Sequence, residues 1–387
     1  GTDNPEQIGE RDFYYLADEN GLWVDSFQSH IRSRPCTEVS PAFSGQNPCI
    51  STPSGGFLYP ATSGWIEPLF SLNGVASGDI DNDGDLDLLV AASTDGTLES
   101  YDFDVNRAQP YFLINDGAGN LEADWQRIPT EMIHSKSNGT NFNELWFSDL
   151  DNDGYLDLLV LGRGETGSCC DGRYFEVGES YIFWNPGSGD YSSSQLLQLP
   201  QVDSFDKADN RPLIIDYDKD GDDDIILYRT DSQYNGRYIQ FLTNQDNREF
   251  IDETTTRFPV QSGEGFNAGH LRQLDLNKDG CNDLLNGGQI SWISGVEFNP
   301  DIFWLNDCDG SFKHVDSIIF SKPVHLFPVD IHGDGDQDFV TYKWGPVSVD
   351  FSVLESVRIF KNSIPPYPSE ILFRDGFENY VRRRKTN

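Results

Sequence analysis

Five short stretches of this sequence set carboxylates at alternate positions around a glycine. The first holds Asp79, Asp81, Asp83, Asp85 and Asp87 around Gly84. The second holds Asp149, Asp151, Asp153, Tyr155 and Asp157 around Gly154, and the third Asp216, Asp218, Asp220, Asp222 and Asp224 around Gly221. The fourth reads Asp275, Asn277, Asp279, Cys281 and Asp283 around Gly280; the fifth reads Asp330, His332, Asp334, Asp336 and Asp338 around Gly335. Counted from the first aspartate, side chains at positions 1, 3 and 5 of a tight loop converge their oxygens on one point. Glycine at position 6 makes the sharp turn, position 7 offers its backbone carbonyl, and position 9 is aspartate in every copy. Several hard oxygens on a flexible loop are the donor set that calcium prefers, so the expectation is up to five calcium ions.

An EF-hand would carry a bidentate glutamate at position 12. Here that position is Val90, Val160, Leu227, Asn286 or Thr341, which excludes it. Two loops depart from the pattern. Asn277 costs the fourth a charge but keeps an oxygen, whereas His332 gives the fifth a neutral imidazole, a poor calcium ligand. Gly333 beside it is expected to loosen that backbone and raise the ordering cost of binding. The fifth loop is therefore expected to bind most weakly.

The elements that position these loops recur with them. Each loop runs at once into a short apolar stretch, and downstream comes a strand ending in an asparagine turn at Asn115, Asn185, Asn244, Asn306 or Asn362. That asparagine lies 36, 36, 28, 31 and 32 residues after the first aspartate of its unit, so loop and hairpin travel together. Successive first aspartates are 70, 67, 59 and 55 residues apart. That is room for four short strands with their loops, and four-stranded units repeated along a chain read as a β-propeller.

These loops resemble the FG-GAP/VCBS repeats of integrin α-subunit propellers and of many bacterial surface proteins; the run from Phe147 to Val160 matches that pattern closely. The resemblance covers about residues 73–373. It implies an all-β chain, one propeller domain over residues 1–387, with calcium loops joining the first and second strands of five blades. It also implies that a protein or glycan ligand binds the face opposite the calcium loops, or its rim. The resemblance points to seven blades and direct counting to six, the remainder coming from the first 74 residues. There, residues 14–24 read as a hairpin, and 56–59 and 65–70 as strands. Residues 33–54 read as an excursion stapled by Cys36 and Cys49, and 379–387 as a basic tail. Residues 371–378 resemble a short C-terminal element of secreted proteobacterial proteins, which points to a bacterial origin.

Charge and cysteine usage bound the setting. The chain of 387 residues carries 27 Lys and Arg against 64 Asp and Glu, a net charge of −37 that repels nucleic acid and anionic membrane surfaces. No apolar run approaches the roughly 20 residues that span a bilayer, so a soluble protein is expected. Six cysteines without zinc spacing favour disulfides and an oxidising compartment, hence a secreted, cell-surface or periplasmic location. A meandering blade puts Cys281 and Cys308 on one edge, where they can bond. Cys36 with Cys49, and the adjacent Cys169 and Cys170, are the other candidate pairs.

Long, varied loops leave the opposite ends of the units. They carry Arg173, Tyr174 and Trp292, the candidate ligand contacts of a binding or adhesion module, lectin-like in character. The usual nucleophile, zinc-protease and nucleotide motifs are absent. The alternative is a carbohydrate-active enzyme of polysaccharide-lyase type, with His134, His270 beside Arg272, or Arg173 beside Tyr174 in loops opposite the calcium loops. The reading favours binding over catalysis.

Overall fold

The structure, a computed structural model, describes residues 15–17, 23–25, 31–32, 72–92, 110–124, 126–132, 142–162, 168–169, 173–174, 180–202, 207–208, 212–230, 238–258, 270–287, 303–314, 325–331, 333, 338–344, 354–360 and 379–380. Among these, no helix is long and apolar enough to cross a membrane. Two compact units divide the chain: residues 1–201 with 206–208, and 202–205 with 209–387.

Five antiparallel meanders of four strands make up the described core. The first unit holds Leu72–Gly78, Asp87–Ala92, Tyr111–Asn115 and Leu121–Asp124, then Phe142–Ser148, Asp157–Gly162, Tyr181–Phe183 and Leu196–Gln198. In the second unit are Leu213–Ile215, Asp224–Thr230, Tyr238–Asn244 and Phe250–Asp252, and next His270–Leu274, Asp283–Gly287, Phe303–Asn306 and Phe312–His314. The last meander is His325–Val329, Asp338–Trp344, Leu354–Phe360 and Asn379–Tyr380, so its outer strand lies inside the stretch read as a basic tail. Each is a propeller blade, and the chain is all-β as expected. The expected N-terminal hairpin is present as Tyr15–Ala17 paired with Trp23–Asp25, and Ile31–Arg32 runs parallel to the outer strand of the first blade. Residues 33–54 with Cys36 and Cys49, and the strands expected at 56–59 and 65–70, lie outside the described residues.

Strand register places every aspartate loop identically. The residue before position 1 pairs with the aspartate at position 9: Gly78 with Asp87, Ser148 with Asp157, Ile215 with Asp224, Leu274 with Asp283 and Val329 with Asp338. After its aspartate each second strand opens on an apolar run, beginning at Leu88, Leu158, Ile225, Leu284 and Phe339. Residues Asp157–Gly162 are buried along their whole length. The core lies between blades: Leu89 and Phe112 of the first pack with Leu158, Val160 and Phe183 of the second. In the other unit, Ile226 and Phe241 pack with Leu284 and Trp304.

Position 2 of the loop carries that core up to the aspartate cluster. Ile80, Leu150, Tyr217 and Leu276 are buried, whereas Ile331 of the fifth loop is 40% exposed. The hairpin asparagine then ties the blades at that level. Asn185 donates from its own N–H to Asp157 Oδ1 (2.8 Å), and from Nδ2 to the carbonyls of Leu156 (2.9 Å) and, in the preceding blade, Ile80 (3.0 Å). Its Oδ1 accepts from the N–H groups of Gly187 and Gly189. Asn306 repeats the arrangement in the second unit, bonding Asp283 Oδ1, the Asn282 carbonyl and the Tyr217 carbonyl of the blade before it.

Buried backbone groups left without partners cost about 1–3 kcal/mol each. Asn185→Ala should therefore lower stability in urea unfolding by about 3 kcal/mol. Asn185→Asp should do at least as much harm, since it sets a carboxylate against two carbonyl oxygens. A loss below about 0.5 kcal/mol would mean that the blades do not depend on this side chain.

Candidate metal centre

The first aspartate winds each loop. Asp79 accepts the N–H of Asp83 on one oxygen and that of Gly84 on the other, both at 3.0 Å. Asp149, Asp216 and Asp275 hold positions 5 and 6 the same way. Drawing both amides onto one carboxylate forces position 4 into the left-handed region, with φ of 56° at Asn82, 58° at Asn152, 62° at Lys219 and 61° at Lys278. Glycine at position 6 is left-handed as well, with φ of 98°, 89°, 105° and 83° at Gly84, Gly154, Gly221 and Gly280. In the fifth loop, Asp330 instead takes the N–H of Gly333 at 2.7 Å. Gly333 has φ of 67°, so it takes the left-handed position 4 where glycine costs least. His332, Asp334 and Asp336 lie outside the described residues.

Positions 1, 3 and 9 converge. In Asp79, Asp81 and Asp87, in Asp149, Asp151 and Asp157, and in Asp216, Asp218 and Asp224, one oxygen of each lies within 4.8 Å of the other two. Position 5 stands beside this trio, with Oδ1 of Asp83, Asp153, Asp220 and Asp279 accepting the N–H of Asp85, Tyr155, Asp222 and Cys281. In the fourth loop, Asn277 donates to Asp279 Oδ2 at 2.8 Å, which turns one candidate ligand onto another. Asp279, Cys281 and Cys308 also cluster, but the two sulfurs are bonded to each other and offer no thiolate.

Position 9 has a double role that the pattern alone does not reveal. Asp87, Asp157, Asp224 and Asp283 are buried, and each receives two backbone N–H groups, one from position 2 and one from the hairpin asparagine. Burial, with neighbouring carboxylates adding to it, pushes these carboxyls up to about 6, 7, 8 and 7. Burial likewise raises Asp81 and Asp218. Oδ1 of each of these two is buried and has no hydrogen-bond partner, which is how an oxygen meant for an ion would stand.

Two arginines complete the picture, and no repeat in the sequence announces them. Arg257 donates from Nη2 to Asp218 Oδ2 (2.7 Å) and from Nη1 to the carbonyl of Asp309 (2.5 Å) in the next blade's hairpin. Arg127 reaches Asp81 Oδ2 at 3.6 Å and donates to the carbonyl of Ser188 (3.0 Å). Ser188 and Asp309 both stand three residues after the hairpin asparagine. The glycine that follows each is left-handed and tightly enclosed. A Cβ on Gly189 would lie 2.9 Å from Arg127 Nη1 and from the Ile80 carbonyl; one on Gly310 would lie 2.7 Å from Arg257 Nη1 and 2.9 Å from the Tyr217 ring.

Position 7 faces its own blade's hairpin. Asp85 approaches Gly117, Tyr155 approaches Gly187, and Cys281 is bonded to Cys308 with Cα atoms 5.4 Å apart, the pairing expected from the meander. At the other end of the second blade, Ser168–Cys169 pairs with Arg173–Tyr174 in a small ribbon. That connection leaves from Gly162, remote from the metal loop. Trp292, Cys170 and His134 lie outside the described residues. His270 and Arg272, expected in a loop, are in the first strand of the fourth blade, where ladder pairing rather than loop exposure governs them.

Gly84 also has a positive φ, but nothing stands within 4 Å of an added Cβ. Gly84→Ala therefore reports backbone strain alone, on the order of 1–2 kcal/mol. Gly310→Ala should exceed it by about 2 kcal/mol in chemical denaturation with chelator present. Equal losses would show that the arginine junction yields without cost.

Comparison with known proteins follows the repeats. Residues 79–160 and 149–227 match the FG-GAP-like repeat. A search of curated proteins finds no match. Among solved structures, the chain is similar to an Agrocybe aegerita lectin that recognises non-reducing terminal N-acetylglucosamine, with 16% identity and TM-score 0.44, covering 82% of this chain and 67% of the lectin. It is also similar to the exotype rhamnogalacturonan lyase YesX (15%, TM-score 0.40, 76% and 48% covered). A third likeness is to a rhamnogalacturonan lyase from Bacillus licheniformis (14%, TM-score 0.38, 70% and 47% covered). The chain spans about half the length of either lyase. Residues 79–227 thus carry the FG-GAP-like repeat, and the same loop and hairpin recur in the propeller blades beyond them.

Proposed function

We propose that this protein is a calcium-organised β-propeller that works outside the cytoplasm as a ligand-binding module. The observation that carries the calcium reading is the convergence of positions 1, 3 and 9 in three loops, with the buried Oδ1 atoms of Asp81 and Asp218 left unpartnered. Carboxylates crowded this closely repel one another, and burial makes their charge dearer still. A divalent ion answers both difficulties by neutralising charge and accepting several oxygens at once. In loops one to three it would be held by positions 1, 3, 5 and 9 with the position-7 carbonyl. Asn277 weakens the fourth set by one charge. The fifth has only Asp330, Asp334 and Asp338 with His332 among them. The ion supplies structural charge and no chemistry.

The Cys281–Cys308 bond supports an oxidising, extracytoplasmic setting. The partner, a glycan or a protein, would meet the connections at blade ends remote from the metal loops, where Arg173 and Tyr174 stand and where the connection bearing Trp292 departs. Aromatic and guanidinium groups both suit sugar rings and peptide side chains. Rigid blades displaying varied loops divide scaffold from recognition.

Calcium binding to the folded state alone should raise the melting temperature, each site contributing about 2.7 kcal/mol at a hundredfold excess over its dissociation constant. A melting curve unchanged between excess calcium and EGTA would sink the calcium reading. Anomalous calcium signal should be strong in loops one to three and weakest in loop five; equal signal would show that His332 does not matter.

A glycan array probed with the calcium-loaded protein tests the binding reading. Tyr174→Ala or Trp292→Ala should weaken retention while leaving the calcium-dependent melting shift intact, whereas Asp153→Asn should reduce that shift first. A partner mapped to the metal-loop ends of the blades would overturn the assignment of surfaces.

A further inference from the structure

Arg127 and Arg257 occupy the same place in two blades, although they follow their hairpin asparagines at different distances in sequence. Each stands just beyond the last strand of its blade and lies against the position-3 carboxylate of its own metal loop. Each also donates to the hairpin carbonyl of the following blade. Their side chains are 23% and 17% exposed, so solvent screens them only in part. A guanidinium keeps its charge at any pH the fold survives.

The consequence differs with and without a divalent ion. Without one, the guanidinium relieves repulsion among the loop carboxylates and ties the loop to the next blade through a charge-assisted bond. With one, a fixed positive charge sits across a single carboxylate from the cation and repels it. The division of oxygens at Asp218 fits this arrangement, since Oδ2 is bonded to Arg257 while Oδ1 is buried and unpartnered. Arg257 also lies over the Tyr217 ring at 5.5 Å and bonds Glu253, so packing keeps it in place rather than leaving it to swing away. Arg127 is held in turn by Asp124.

We propose that Arg127 and Arg257 are resident counter-cations of loops one and three. They hold each loop against the following blade when calcium is absent, and they set its calcium affinity below what its carboxylates alone would give. This inference rests on the calcium reading of the same loops. It assigns to two residues outside the loop motif a control over both affinity and blade cohesion.

The test is hydrogen–deuterium exchange of the full chain titrated with free calcium, following peptides over residues 213–230 and 303–314. In Arg257→Gln, the calcium concentration at half-protection of 213–230 should fall about three- to tenfold, while protection of 303–314 in EGTA is lost. Loop two, residues 149–157, should keep its midpoint in that variant. Arg257→Lys keeps the charge and should hold the midpoint within about twofold. Arg127→Gln is an independent copy in the other unit, with a smaller shift because its contact is 3.6 Å rather than 2.7 Å. A midpoint that stays put or rises in the Gln variants would overturn the proposal even if calcium protects the unsubstituted loops. If calcium protects none of the loops in the unsubstituted protein, the calcium reading fails and this inference falls with it.

Discussion

The bond between a buried carboxylate and the amide of the hairpin asparagine organises the first four repeats of this protein. The carboxylate opens the second strand of a blade, as Asp157 does, and the asparagine closes the third, as Asn185 does, 2.8 Å away. Because the same carboxylate holds the N–H of position 2, the bond fixes the aspartate loop onto its own hairpin. Because the same asparagine reaches the carbonyl of Ile80, it fixes that hairpin onto the preceding blade. One short network therefore decides loop shape, blade closure and blade-to-blade register together.

Such a network is costly in isolation. A carboxylate buried among others resists ionising, and an unpaired amide in a core costs as much as several good contacts return. The cost is offset only when every donor and acceptor is satisfied, which helps explain why the glycines after the asparagine are left-handed. Gly187 and Gly189 turn their N–H groups back onto Asn185 Oδ1, and Cys308 and Gly310 do so on Asn306. The disulfide between Cys281 and Cys308 makes covalent, in the fourth blade, a contact that Asp85 and Tyr155 make through space in the first two. The blade whose loop carries Asn277 in place of an aspartate is thus the one whose loop is covalently fastened.

Topology alone separates the aspartate loops from the long second connections. An up-and-down meander must put the first and third connections at one end and the second at the other. The first connection is filled by the aspartates and the third by the asparagine turn, which leaves the second free to vary in length. In the second blade it is long enough to hold the ribbon bearing Arg173 and Tyr174.

Much of this was legible in the residues. Alternating aspartates around glycine specify a tight oxygen-lined turn because the geometry is local, and a turn of nine residues needs no help from elsewhere to be recognised. Apolar runs opening on aspartate and ending in asparagine specified strands and hairpins for the same reason, and two cysteines at one edge of a meander specified their bond. What the tertiary structure decided depends on groups remote in sequence. Which carboxylates converge is set by where the buried second strand places its first aspartate, so positions 1, 3 and 9 meet while position 5 accepts the amide of position 7. The left-handed state of Lys219 and Lys278 follows from amides drawn onto the first aspartate, not from residue type. Asn185 gives no sign in the chain that it reaches Ile80, 105 residues away. Arg127 and Arg257 sit at no constant offset from any motif, because a long side chain can reach the same carboxylate from different backbone positions, and only the packing of one blade on another brings it there.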